Sequence, residues 1–167
     1  MLPQCIFNSK TLVNLCLLDC VCNPSTGAVS LPCLKSLNLY RIQYQVKKSL
    51  PHLLSGCPVL EELIVGGIAD DDLNCFKIAS TTIKSLSLDI GSGNVGNVKI
   101  NAPALRYLEV EEYSSYEHIR LLPVSNLIEA DIWLNNFVLE VDDLNFLNSL
   151  SNVNRLKLSG RVEQVCI

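Results

Sequence analysis

No stretch of this chain approaches the roughly 18 uncharged apolar residues of a membrane-spanning helix, although 49% of its residues are hydrophobic and its mean hydropathy is +0.29. The apolar residues are dispersed, so their spacing carries the information. No window is a Lys/Arg cluster either. The 13 basic residues are outnumbered by 17 acidic ones, which gives a net charge of -4 and a pI near 5.1. That balance argues against nucleic acid or an anionic membrane as a partner and makes a basic partner the easier one to accommodate. Met1-Leu2-Pro3-Gln4 lacks the basic flank and apolar core of a signal peptide, and Asn23-Pro24-Ser25 is a glycosylation sequon spoiled by its proline. The expected location is the cytoplasm or nucleus. Eight cysteines, at 5, 16, 20, 22, 33, 57, 75 and 166, are then reduced thiols rather than a disulfide framework.

Chemistry-bearing residues are equally sparse. His52 and His118 are the only histidines, 66 residues apart, and neither a nucleophile elbow nor H-E-x-x-H is present. Cys20-Val21-Cys22 is too tight for a zinc arm and has no second Cys/His pair at finger-like spacing. Asp70-Asp71-Asp72 lacks the ligand spacing of an EF-hand. "GSGNVG", residues 91–96, matches a dinucleotide-binding pattern, but the alternating "NVKINAP" follows where a helix N-terminus would have to hold the pyrophosphate. No catalytic residue, metal or cofactor is expected, and the chain does not read as an enzyme.

What is present is a repeat. The pattern L-x-x-L-x-L, with Val, Ile or Ala allowed, recurs as Leu12/Leu15/Leu17, Leu34/Leu37/Leu39, Leu60/Leu63/Val65, Ile83/Leu86/Leu88, Leu105/Leu108/Val110, Leu127/Ala130/Ile132 and Val153/Leu156/Leu158. First positions are separated by 22, 26, 23, 22, 22 and 26 residues, inside the window of leucine-rich repeats. The last two apolar positions alternate with polar ones, so each copy is a short strand with one face for a core. A lone copy cannot bury that face, whereas stacked copies bury it continuously. The expected fold is therefore an α/β leucine-rich-repeat solenoid with a parallel inner sheet and a mixed helix and extended convex side, one domain of about seven repeats over residues 1–167.

Both 26-residue intervals contain a helix-like return. Ser49 and Pro51 start one, with Leu50, Leu53 and Leu54 as its apolar stripe; Asp142 can cap the other ahead of Leu144, Leu147 and Leu150. Gly56 is expected to stop the first helix in a left-handed conformation, and Pro58 to bar its continuation. Pro32 and Pro103 hold the same frame beside apolar residues, so Cys57 reads as packing. Phe76/Ile78, Val98/Ile100 and Leu122 predict extended returns in the shorter intervals. Cys20, and Asn135 in the sixth repeat, take the ninth place, where Asn or Cys helps to satisfy turn backbone groups.

The third, fifth and seventh positions of each copy face outward on the inner wall, the one surface where several repeats converge on a partner. There Glu62, Asp89, Glu109, Glu111, Glu129 and Asp131 form an acidic stripe with Tyr107 and Trp133 set into it, and Arg155 and Lys157 close its far end. Aromatic anchors amid charge of one sign suit a basic protein segment.

"LPQCIFNSKTLVNLCL", "SLPCLKSLNL", "LLSGCPVLEELIV", "NVKINAPALRYLEV" and "NLIEADI" resemble, in this order and over about residues 2–134, the repeat region of plant F-box/leucine-rich-repeat/FBD proteins, "SGCPVLEEL" being the most specific phrase. The resemblance implies a substrate receptor of an SCF-type ubiquitin ligase, whose F-box docks the Skp adaptor and cullin while the repeats hold the protein to be ubiquitylated. On this reading the chain is the repeat part alone, truncated at both ends, without an F-box before Leu2 or an FBD segment after Ile167. Leu2, Ile6 and Phe7 open it, and Val162, Val165 and Ile167 close it, where polar caps are expected. Skp and cullin would then join only if a missing F-box is supplied. The leading expectation is a protein-recognition module; the alternatives are a standalone repeat scaffold without ligase recruitment, or a small-molecule co-receptor.

Overall fold

The structure, a computed structural model, describes residues 3–22, 24, 27–44, 48–67, 75–90, 97–112, 119–134 and 141–160, with the backbone alone for 75, 112, 134 and 141–144. A 3-10 turn over Gln4–Asn8 leads into strands β1 (Asn14–Leu18), β2 (Val21–Cys22), β3 (Ser36–Tyr40) and β4 (Gln43–Tyr44). Helix α1 (Ser49–Ser55) precedes β5 (Glu62–Gly66), β6 (Cys75–Ala79), β7 (Ser85–Ile90), β8 (Asn97–Asn101), β9 (Tyr107–Glu112), β10 (Ile119–Leu121) and β11 (Glu129–Leu134). Helix α2 (Val141–Asn148) and β12 (Arg155–Gly160) complete the order.

Every L-x-x-L-x-L copy supplies one strand of a seven-stranded parallel sheet in the order β1-β3-β5-β7-β9-β11-β12. Its register is that of the repeat. Asn14, Ser36, Glu62, Ser85, Tyr107, Glu129 and Arg155, all third positions, pair in succession. A backbone device fixes this alignment. The carbonyl at the second position of each repeat, as at Val13, Lys35, Glu61, Lys84, Arg106 and Ile128, accepts the N–H groups of the second and third positions of the next repeat. A slip of one residue would turn every leucine outward.

Beneath the sheet the fourth and sixth positions are shut away. Leu37, Leu39, Leu63, Val110, Ala130 and Ile132 are at most 1% exposed, and one contiguous cluster runs from Phe7 to Leu150. Each fully buried leucine stabilises the fold by about 1.5–3 kcal/mol relative to an exposed one. The last copy differs: Leu156 and Leu158, on the edge strand β12, remain 43% and 47% exposed, because among the described residues no further strand covers them.

The opposite wall is mixed, as expected. β2 pairs with β4, helix α1 follows, and β6, β8 and β10 form a parallel three-stranded sheet in the order β10-β8-β6. Phe76, Ile78, Val98 and Ile100 turn into the core. The third of these strands corrects the expected frame by one residue: Leu121, not Leu122, aligns with Ile100 and is buried, while Leu122 is half-buried. The connection from Leu121 to Leu127 is one residue longer than that from Ile100 to Leu105, and it uses the extra length to bury Val124.

Two capping expectations also change. Helix α2 begins at Val141, so Asp142 lies inside it rather than ahead of it. Helix α1 ends at Gly56 with φ -86°, a right-handed conformation any residue adopts. The chain leaves the helix by two tightening bonds, Gly56 N–H to the Leu53 carbonyl and Cys57 N–H to the Leu54 carbonyl, each 3.1 Å. Glycine is required for space instead: a Cβ there would lie 2.6 Å from the Val29 carbonyl oxygen and closer still to its Cγ1. Among the described residues, the left-handed ones are Asp19 (φ 49°), Arg41 (φ 49°) and Gly67 (φ 61°), the eighth position of each of the first three repeats. There the inner strand stops after five residues, whereas β7, β9, β11 and β12 run for six.

The turn that enters each inner strand explains Cys57. Leu31, Cys57, Ala102 and Leu150 are buried at one equivalent place, and each carbonyl accepts the N–H three residues on. The Cys57 thiol donates to the Leu53 carbonyl at 3.2 Å, and burial pushes its pKa up to about 11. It is an inert packing group. Cys22, fully buried, is pushed up to about 11 by burial and then by Cys20. At the ninth place Cys20 is half-buried against the core, and its carbonyl accepts the Gln43 N–H at 3.1 Å. Asn135, His118, the acidic run 70–72, the glycine-rich run 91–96, and the apolar ends at Leu2, Val162, Val165 and Ile167 lie outside the described residues.

Candidate functional site: the inner face of the long sheet

Because successive strand residues point to opposite sides, the third, fifth and seventh positions form three parallel rows across the open face. Neighbours within a row sit about 4.8 Å apart. The third-position row carries Glu62, Tyr107, Glu129 and Arg155; the fifth carries Glu109, Asp131 and Lys157; the seventh carries Asp89, Glu111 and Trp133. All ten expected residues therefore lie on one face, with Tyr107 and Trp133 47% and 42% exposed.

The stripe is not uniform in charge. Arg155 reaches Glu129 at 3.2 Å and Lys157 reaches Asp131 at 2.6 Å, each across the β11 and β12 boundary. These two cations neutralise the end of the stripe that they were expected only to border. The Asp131 carboxylate, accepting a hydrogen bond from Lys157 and attracting its charge, holds the ammonium above its ordinary pKa, with Glu109 adding to the effect. The acids outside these two pairs, Glu62, Asp89, Glu109 and Glu111, lie on the middle strands β5, β7 and β9. Glu62 accepts a hydrogen bond from the Ser36 hydroxyl at 2.6 Å. Asp89 is held above its ordinary pKa by partial burial and by Glu111 beside it, against the stabilising donors Tyr40 hydroxyl and Gly67 N–H.

Tyr40 was not among the expected site residues, yet it organises one end of the face. Its ring covers Gly66, where an added Cβ would lie 2.6 Å from Tyr40 Cδ2, and its hydroxyl reaches Asp89 on the next strand but one. The Arg41 guanidinium stands 5.1 Å from the Tyr40 ring centroid and grips Asp19 with Nε and Nη2 at 2.5 and 2.6 Å. A chain of contacts, Asp19 to Arg41 to Tyr40 to Asp89, thus ties the C-terminal ends of the first four inner strands together. The available signal was positional: Tyr40, Gly66 and Asp89 are consecutive members of the seventh-position row.

The arrangement can bind but holds no catalytic pair among the described residues. His52 is on helix α1, its Nε2 3.1 Å from the Gly27 carbonyl oxygen, on the wall opposite this face. No group of three or more His, Cys, Asp or Glu among the described residues could hold a metal ion. No helix among them is long and apolar enough to cross a membrane.

A stacked parallel solenoid that presents side-chain rows from seven strands defines the class: a leucine-rich-repeat protein. The chain belongs to the plant F-box/FBD/LRR family, since the family model described as "FBD-associated F-box protein At5g56370, LRR repeats" matches residues 1–128. It is 32% identical over 166 residues to the F-box/FBD/LRR-repeat protein At4g26340 of Arabidopsis thaliana, covering 98% of this chain and 38% of that protein. It is 31% identical over 179 residues to the FBD-associated F-box protein At5g22730 of the same plant, covering 95% and 38%. No solved structure matches the chain. The chain thus spans less than two fifths of the length of these relatives.

Proposed function

We propose that the chain is a non-catalytic protein-recognition module, equivalent to the repeats with which an F-box receptor of an SCF-type ubiquitin ligase holds its substrate, working in the cytoplasm or nucleus. The observation that carries this reading is the middle of the inner face. Glu62, Asp89, Glu109 and Glu111, from the three adjacent strands β5, β7 and β9, lie with exposed Tyr107 and Trp133 on one sheet. Such a surface favours a protein segment bearing Lys or Arg, with the aromatic rings as anchors. Glu129 and Asp131, already paired to Arg155 and Lys157, set its border. On this reading, recruitment of a Skp adaptor and cullin belongs to an F-box joined to the repeats.

The test is proximity crosslinking in plant cells with the chain fused behind an F-box, comparing wild type with the double change Tyr107→Ala, Glu109→Lys. The wild-type fusion should capture a defined protein, bring it to a cullin complex and shorten its half-life, and the double change should abolish all three. A captured protein that the double change leaves fully bound refutes the inner face as the substrate site.

A further inference from the structure

Among the described residues, the outer three-stranded sheet on the wall opposite the inner face carries the opposite charge. In the three-stranded outer sheet, Lys77 on β6 pairs in register with Lys99 on β8, and Lys99 with Arg120 on β10. All three are exposed, and none makes an ion pair with another described residue. Every acid whose side chain is described, from Asp19 to Asp131, belongs to the inner sheet or adjoins one of its strands. Like charges directly opposite in a sheet repel, and an anion lying across the three would relieve that repulsion.

A second feature adjoins the row. Asn101 and Ala79, two residues beyond Lys99 and Lys77 and therefore on the same face, line a groove of about 450 Å3 with Ser80, Thr81, Thr82 and Ser55. The lining is mainly apolar, from Leu54, Cys57, Pro58, Ala79 and Pro103, with the four hydroxyls and the Asn101 amide set into it, so it offers side-chain contacts where the row offers charge.

We propose that this outer ladder is a second docking surface, for an acidic peptide segment lying across the strands with its flanking residues in the adjoining groove. The three cations span about 10 Å, roughly one Debye length at physiological salt, which matches a run of three or four extended residues. Nucleic acid fits less well. Its phosphates would continue past three cations onto a chain of net charge -4, and three phosphate contacts release few counterions. The surface lies on the wall opposite the proposed substrate face, so either assignment can fail alone.

The experiment is fluorescence anisotropy of the whole chain with a labelled hexapeptide of alternating Asp and Glu. Saturable binding that weakens as salt rises from about 50 to about 200 mM, falls at least about tenfold with Lys99→Glu, and stays within about twofold with Glu109→Lys is the expected result. Lys99→Gln, which relieves the repulsive row and so should fold at least as stably by circular dichroism, should lose an intermediate share of the binding. The proposal is overturned by an absence of saturable binding to wild type, or by equal affinity for the Lys99 variants. Tighter Lys99-dependent capture of a labelled single-stranded oligonucleotide of equal charge would also overturn it, as would sedimentation showing that Lys99 serves to pair two copies of the chain.

Discussion

Gly56 offers a sharp test of whether a glycine serves conformation or space. At φ -86° and ψ 0° an alanine is conformationally acceptable, and on backbone entropy alone Gly56→Ala should stabilise the chain by about 0.4–1 kcal/mol. Packing opposes this. The new Cβ would lie 2.6 Å from the Val29 carbonyl oxygen and 2.7 Å from Val29 Cβ, with Cγ1 nearer still. The oxygen is backbone and cannot rotate away, and the Gly56 carbonyl is itself held by the Leu31 N–H at 2.9 Å. Helix α1 and the Val29 segment would have to separate, at the roughly 1–3 kcal/mol typical of overpacking. The net expectation is a loss of up to about 2.6 kcal/mol in urea unfolding followed by circular dichroism. Val29→Ala in the Gly56→Ala background should recover the part due to Cγ1 but not the part due to the carbonyl, so the two changes should couple by about 0.5 kcal/mol or more. Asn, which tolerates a left-handed cap, should be no better than Ala. A stabilising Gly56→Ala, or an Asn better tolerated than Ala, would refute the argument from space.

Asp89 gives a pH dependence of definite sign. Its folded-state pKa is raised above 3.8, chiefly by burial and then by Glu111, so the native state holds its proton to higher pH than the unfolded chain, and this group's contribution to stability falls as pH rises through that window. Asp89→Asn should therefore be more stable relative to wild type at neutral pH than near pH 3, and Glu111→Gln should lower the Asp89 pKa seen by carboxyl NMR; an advantage for Asp89→Asn that grows towards acid would contradict this. Position along the stack should matter as much as residue type. Leu88→Ala, at a site 1% exposed, should cost about 2–5 kcal/mol, whereas Leu158→Ala, at the same repeat position but 47% exposed, should cost less than half as much in denaturant unfolding.

The long sheet is legible in the sequence because one rule generates it. A single spacing sets the strands, their core face and their register together, so aligning seven copies is equivalent to aligning seven strands. The opposite wall obeys no such rule. β2 and β4 are two residues long, too short for alternation to register, and the extra residue between Leu121 and Leu127 is invisible until the Ile119 and Leu121 pairings are seen. Gly56 was misread because a glycine after a helix has two uses, and only the position of Val29, 27 residues earlier, separates them.

The site was legible as a set of residues but not as a charge distribution. Placing Glu129 and Arg155 on one face needs only the alternation within each strand. Recognising that they neutralise one another needs the row as well, since 26 residues separate them in sequence and one strand spacing in space. The same row logic, applied to both walls, gives contrary results. On the inner face, opposite charges meet across β11 and β12 and cancel, which removes two acids from the attractive surface and leaves the middle strands to carry it. On the outer wall, Lys77, Lys99 and Arg120 meet as like charges, so register adds their fields instead of cancelling them. Counting acids and bases along the chain gives a mildly acidic protein; summing them along the rows gives an acidic centre on one wall and a basic ladder on the other. Because row neighbours lie well within a Debye length, it is the row sum, not the net charge of -4, that an approaching protein segment would meet.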